Sequence, residues 1–131
     1  MAYLLDTDVV IDFMKKKEPS FSLVKKLLGN DIYISVINFI EIFYGIKKTK
    51  NIQKRTNEFQ IFLNQINPNI IPIDITVAKK FIDLKINLEN NKMPLADFDL
   101  LIASICIQYR LTLITRNQKH FSRIKNLKIY G

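Results

Sequence analysis

Three acids in this sequence stand where a carboxylate has little local reason to be. Asp6 ends the short apolar run from Ala2 to Leu5, before Val9, Val10 and Ile11 resume the apolar character. Glu41 interrupts Ile40-Glu41-Ile42-Phe43, a stretch apolar on most sides, and Asp99 opens Asp99-Leu100-Leu101-Ile102-Ala103. Unpaired buried carboxylates are costly, and several together raise one another's pKa. A hard divalent cation removes that conflict, and Mg²⁺ favours carboxylate and water oxygens. A structural zinc site is excluded, since Cys106 and His120 are the only residues of their types. Each acid also has a plainer reading. Asp6 or Asp8 caps a helix, Asp97 caps another, and Glu41 pairs with a lysine. One such role explains one acid; three acids so placed point to a shared site. Gly45, four residues after Glu41, falls on the same helical face. It leaves room there for a ligand or a close backbone, at a cost of about 1 kcal/mol against alanine.

The elements that must position these acids follow from periodicity. Ala2 to Leu5 reads as a buried strand with Asp6 at its carboxyl end, where open α/β sheets bind ligands. A helix follows from Asp8 to Lys16, and another from Ser20 to Leu28, closed by Gly29-Asn30. Ile32 to Ile34 is a second strand. Ser35 caps a helix running to Lys48, and Asn51 to Ile66 is an amphipathic helix. Ile70 to Ile73 is a third strand, with Pro72 marking a strand end or a sheet edge. Thr76 to Asn90 and Asp97 to Tyr109 are helices, the second apolar almost all round and therefore central. Leu111 to Ile114 is a strand, a helical turn lies near His120-Phe121, and Leu127 to Tyr130 is a last strand. Strands alternating with helices predict an α/β fold, a parallel sheet with helices on its faces.

The 131 residues fit one domain, residues 1–131, and no repeat or linker divides them. The single cysteine excludes a disulfide within the chain and suits a reducing compartment. The opening does not read as a signal peptide, and no apolar run is long enough to span a bilayer. A cytoplasmic protein with no membrane partner is expected. The net charge is +8, from 20 Lys+Arg against 12 Asp+Glu. It favours polyanion partners, although a sequence this rich in Lys, Asn and Ile also suits an AT-rich genome.

Four segments together resemble PIN-domain ribonucleases, in particular VapC-like toxins of type II toxin–antitoxin systems. They are Leu4-Leu5-Asp6-Thr7-Asp8, Glu41-Ile42-Phe43-Tyr44-Gly45, Asp99-Leu100-Leu101-Ile102-Ala103-Ser104, and Leu113-Ile114-Thr115-Arg116-Asn117 with His120-Phe121. They follow the family's order and spacing over nearly the whole chain. The resemblance implies a three-layer α/β/α fold with a central, mainly parallel sheet of four or five strands. It implies a metal-dependent endoribonuclease using Mg²⁺, with Mn²⁺ as a substitute. Asp6 and Asp99 would be the principal metal ligands, and Glu41 would complete the pocket, partly through water. The family often has Asn at the position of Asp8, and a fourth acid where this chain has Asn117. Asn117 is then a catalytic-site residue that positions water or phosphate, and Asp97 is expected to supply the extra carboxylate to the metal. Thr7, Thr115 and Arg116 would bind substrate. His120 as a general base is the weaker reading, and Cys106 reads as core.

The implied partners are an RNA substrate, transfer RNA being frequent in the family, a cognate antitoxin and a second copy of the chain. The antitoxin is expected near the basic groove between helices 36–48 and 51–66. Two other readings compete. Asp6-Thr7-Asp8-Val9-Val10 also resembles the first motif of haloacid-dehalogenase-type phosphatases, with Asp6 as nucleophile. The absence of glycine before Gly29 and the later motifs count against that. A non-catalytic nucleic-acid-binding module of the same fold is the other, and it gains nothing from carboxylates facing phosphates.

Overall fold

A four-stranded, all-parallel sheet in the order β3-β2-β1-β4 forms the centre of the computed structural model, which describes residues 1–130. The strands are β1 (Ala2–Leu5), β2 (Asp31–Ser35), β3 (Asn69–Ile71) and β4 (Thr112–Ile114). β1 lies between β2 and β4, with Tyr3 opposite both Ile32 and Thr112. A strand covered on both faces must be apolar without alternation, and Leu4 and Leu5 are fully buried. β3 is the edge beside β2 and ends just before Pro72, which cannot donate to a ladder.

Successive strand residues point to opposite faces, and the core divides accordingly. Tyr3, Leu5, Ile34 and Ile114 pack with Val10, Phe13, Phe59 and Phe62. These come from the side carrying α1 (Thr7–Met14), α2 (Ser20–Lys26), α3 (Val36–Lys47) and α4 (Ile52–Ile66). Leu4 and Leu113 pack with Leu88, Leu100, Ile105 and Phe121 on the other side. There lie α5 (Ile75–Asn90), α6 (Asp97–Tyr109) and α7 (Gln118–Phe121). This is the three-layer α/β/α arrangement. Cys106 is buried in α6, as core. Among the described residues no helix is long and apolar enough to cross a membrane.

Two expectations change. Leu127 to Tyr130 does not form a full strand. It makes one parallel bridge, Leu113 opposite Ile129, through bonds from Leu113 N–H to Lys128 O (2.8 Å) and Tyr130 N–H to Leu113 O (2.9 Å). β4 is only three residues long, so its free edge offers little ladder to extend. Second, a Cβ built on Gly45 meets nothing within 4 Å. No described backbone uses the missing side chain, and only the open space remains. Between α3 and α4 the Phe39 and Phe59 rings pack 5.8 Å apart. An apolar cleft of about 730 Å³ lies among α1, α2 and α4, lined by Phe13, Phe21, Phe62 and Ile66 with Lys16, Lys25 and Glu58.

Candidate active site

Parallel strands bring their carboxyl ends to one edge of the sheet, and the site is assembled there. β1 ends at Leu5, and Asp6 takes an extended backbone and caps α1, its Oδ1 accepting the Thr7 N–H at 2.9 Å. Asp6 is therefore both cap and site residue. From the end of β4, Thr115 Oγ1 donates to Asp6 Oδ2 at 2.8 Å, and Asn117 N–H donates to Thr115 Oγ1 at 3.0 Å. Both carboxylate oxygens of Asp6 are thus oriented by neighbours from different strands.

Ser35 ends β2 and starts α3 with a reciprocal cap. Its Oγ accepts from Asn38 N–H (3.1 Å), and Asn38 Oδ1 accepts from Ser35 N–H (2.8 Å). Asn38 is buried, and its Nδ2 donates to Thr7 Oγ1 at 3.0 Å. Thr7 Oγ1 then donates to Glu41 Oε1 at 2.7 Å. The chain of bonds holds Glu41 on α3 against the first residue of α1. Asp99 lies in the first turn of α6, where the helix dipole favours an acid. Its Oδ2 is 3.1 Å from His120 Nε2 on α7.

These groups converge on an open cleft of about 310 Å³, lined by Asp6, Thr7, Asp8, Glu41, Asp99, Arg116 and Asn117 together with Ile11. Burial pushes the Asp6 carboxyl up to about 7, helped by the charges of Asp8 and Asp99, against the lowering effect of the bonds from Thr115 and Thr7. Asp8 is also raised, by burial first, while the Arg116 backbone N–H and guanidinium pull it back. Asp8 Oδ1 is buried with no hydrogen-bond partner among the described residues.

These features fit a hard divalent cation. The donors are all oxygens, one is orphaned, and the central acid's carboxyl is raised, by burial first and by neighbouring acids second. Among the described residues no three His, Cys, Asp or Glu side chains form a ready-made metal cluster. A cation that keeps several of its waters, as Mg²⁺ does, needs none. Asp6 and Asp99 would hold it, with Glu41 reached through water.

Asp97 departs from expectation. The cap of α6 is Ala96 rather than Asp97. The Asp97 carboxylate points to α5, 2.8 Å from Lys85 Nζ, and does not line the cleft. Two residues advance a helix by about 200°, so Asp97 and Asp99 cannot face the same way. Thr115 stands behind Asp6 as its buried hydrogen-bond donor rather than in the cleft wall. Arg116 does line the cleft, with its Nε 2.8 Å from Asp12. Sequence reasoning passed over Asn38, Asp12 and the His120–Asp99 contact. The Ser35-x-x-Asn38 cap pattern is the one available signal for Asn38; His120 stands in the last motif, without a sign of its contact with Asp99, and Asp12 has no signal.

A sequence model of the PIN domain matches residues 3–127. The chain belongs to the PIN-domain family. It is 34% identical over 129 residues to Ribonuclease VapC2 of Rickettsia felis, covering 97% of this chain and 95% of that protein. It is 23% identical over 128 residues to the tRNA(fMet)-specific endonuclease VapC of Shigella flexneri, covering 98% and 96%. Among solved structures it is similar to VapBC2 from Rickettsia felis bound to a DNA fragment from their promoter. That match has a TM-score of 0.91 at 31% identity, covering 99% of this chain and 98% of that one. The PIN-domain match takes in Glu41 and the 113–121 segment, which the phosphatase reading leaves without a role.

Proposed function

We propose that this PIN domain is a metal-dependent endoribonuclease and the toxin of a type II toxin–antitoxin pair. The observation that carries the reading is the set of four carboxylates, Asp6, Asp8, Glu41 and Asp99, in one cleft at the carboxyl edge of the sheet. The chain bearing them is 34% identical to a ribonuclease. A binding-only module has no use for acids that repel RNA phosphates.

Hydrolysis adds water across a P–O bond: the new P–O bond forms on one side and the leaving oxygen departs with a proton. A Mg²⁺ or Mn²⁺ ion, when bound, supplies Lewis acidity and a more acidic water. The protein's own part is orientation. Thr115 and the Thr7 N–H fix the Asp6 rotamer, and Thr7 Oγ1 fixes Glu41. Asn117 at the rim orients water or a phosphate oxygen, and Arg116 offsets phosphate charge. The overall charge of +8 draws the polyanion toward the acidic cleft.

Transfer RNA is the substrate class to try first, since the Shigella relative is a tRNA(fMet)-specific endonuclease. The antitoxin partner is supported by the VapBC2 complex, and we assign it the apolar cleft among α1, α2 and α4. A homodimer and a cytoplasmic location complete the reading. The deciding experiment incubates the protein with total RNA and with transfer RNA, with Mg²⁺, with Mn²⁺ and with EDTA, beside Asp6→Asn and Asp99→Asn. Cleavage is expected only for wild type with metal. Cleavage that persists in EDTA, or in both variants, overturns the metal-site reading.

A further inference from the structure

Asp12 is more deeply buried than Asp6, 3% exposed against 7%, yet it does not line the cleft. It lies four residues beyond Asp8 on α1, on the same helical face. A carboxylate placed there carries a desolvation cost that an apolar side chain would avoid. Its partners are Ser20 Oγ, which donates to Oδ2 at 3.0 Å, and Arg116, whose Nε is 2.8 Å from the same oxygen. The Arg116 backbone N–H donates to Asp8 Oδ2 at 3.2 Å. Both the main chain and the side chain of Arg116 are therefore tied to α1.

The Arg116 side chain is nonetheless half exposed, while that of Asp12 is 4% exposed. The ion pair engages Nε at 2.8 Å, and neither Nη group has a hydrogen-bond partner among the described residues. A guanidinium beside four cleft carboxylates would ordinarily collapse onto one of them. Asp12 takes that contact from outside the cleft, and the ion pair of Arg116 is with it rather than with Asp6, Asp8, Glu41 or Asp99. The planar guanidinium suits this, since one nitrogen can be anchored while the other two form a fork matched to phosphate oxygens.

We infer that Asp12 is a positioning residue, which anchors Arg116 through Nε so that its Nη pair can grip an RNA phosphate in the cleft. The inference rests on the ribonuclease reading above and adds a residue outside the cleft to it. It also explains why α1 carries a buried acid that the cleft itself does not use.

A double-mutant cycle tests it. Asp12→Asn, Arg116→Ala and the pair are compared with wild type in kcat and KM for RNA cleavage with Mn²⁺. RNA Kd is measured in EDTA, with melting temperatures alongside. Asp12→Asn is expected to lower kcat/KM about tenfold and to weaken RNA binding. In the Arg116→Ala background the same change is expected to alter either quantity less than twofold. Ser20→Ala, which removes the other bond to Asp12, is expected to keep wild-type kcat/KM. If Asp12→Asn fails to fold, Asp12→Glu keeps the charge but displaces it, and its loss must likewise vanish with Arg116→Ala. A wild type that cleaves, with additive effects of Asp12 and Arg116, overturns this inference alone. A wild type that neither cleaves nor binds RNA overturns the ribonuclease reading and this inference with it.

Discussion

Thr115 Oγ1 donates a 2.8 Å hydrogen bond to Asp6 Oδ2 across 109 positions of sequence. Adjacent parallel strands make the contact possible, with Leu5 registered against Ile114 immediately before both residues. Thr115→Val keeps the shape and removes the donor. A charge-assisted bond contributes about 1.5–3 kcal/mol, so kcat/KM for RNA cleavage should fall by roughly tenfold or more. Thr115→Ser should retain most activity. Steady-state cleavage of a labelled RNA by the two variants checks this.

The same acid makes stability depend on pH. The folded-state value of Asp6 is about 7, against an ordinary 3.8. In the unfolded chain Asp6 ionises near 3.8, while in the fold it resists ionisation until about 7. Its contribution is therefore fully present below about 3.8, is lost as pH rises toward 7, and is a constant cost above that. Without divalent ions, Asp6→Asn should be more stable than wild type at pH 8. The gap is on the order of 4 kcal/mol at most, from a shift of about 3 pKa units. It should close toward pH 4. Denaturant titrations in EDTA at both pH values measure the gap, and an equal gap at both would refute the assignment. Added Mg²⁺ should stabilise wild type and not the variant, by ordinary linkage.

His120 braces Asp99 from α7, Nε2 to Oδ2 at 3.1 Å. Groups that orient a metal-binding carboxylate typically affect affinity by about 10–100-fold. His120→Ala should weaken Mn²⁺ binding within that range, read by calorimetric titration. Raising Mn²⁺ should restore much of the cleavage rate. A rate that stays low at saturating Mn²⁺ would instead give His120 a role in the reaction itself.

Asp97 supplies the contrasting case. It forms an exposed ion pair with Lys85, away from the cleft. Such exposed pairs add little to stability. Asp97→Ala should leave both the cleavage rate and the Mn²⁺ affinity at wild-type levels. A large loss of either would return Asp97 to the site.

Much of the molecule was legible along the chain because its signals are local. Short apolar runs mark the four strands and helical apolar patterns the principal helices, and the helix expected over Asp97 to Tyr109 has the observed bounds of α6. The strand-then-acid pattern put Asp6 at a carboxyl end, Ser35 announced its cap, and Pro72 marked the end of an edge strand. The motif order then identified the family.

The partnerships within the site were not legible, because none is short-range. Thr115 reaches Asp6, Asn38 reaches Thr7, and Asp99 meets His120 only after the parallel register brings separate strand ends together. Asp12 carries no signal along the chain; its role depends on Arg116, which reaches it from the end of β4. Asp99 is expected as a principal metal ligand and Asp97 as a supplementary one. The rotation of α6 separates them, sending one to Lys85 and the other to the cleft. Residue type and local period are written in the chain, whereas the direction a carboxylate faces depends on how its helix is turned against the sheet.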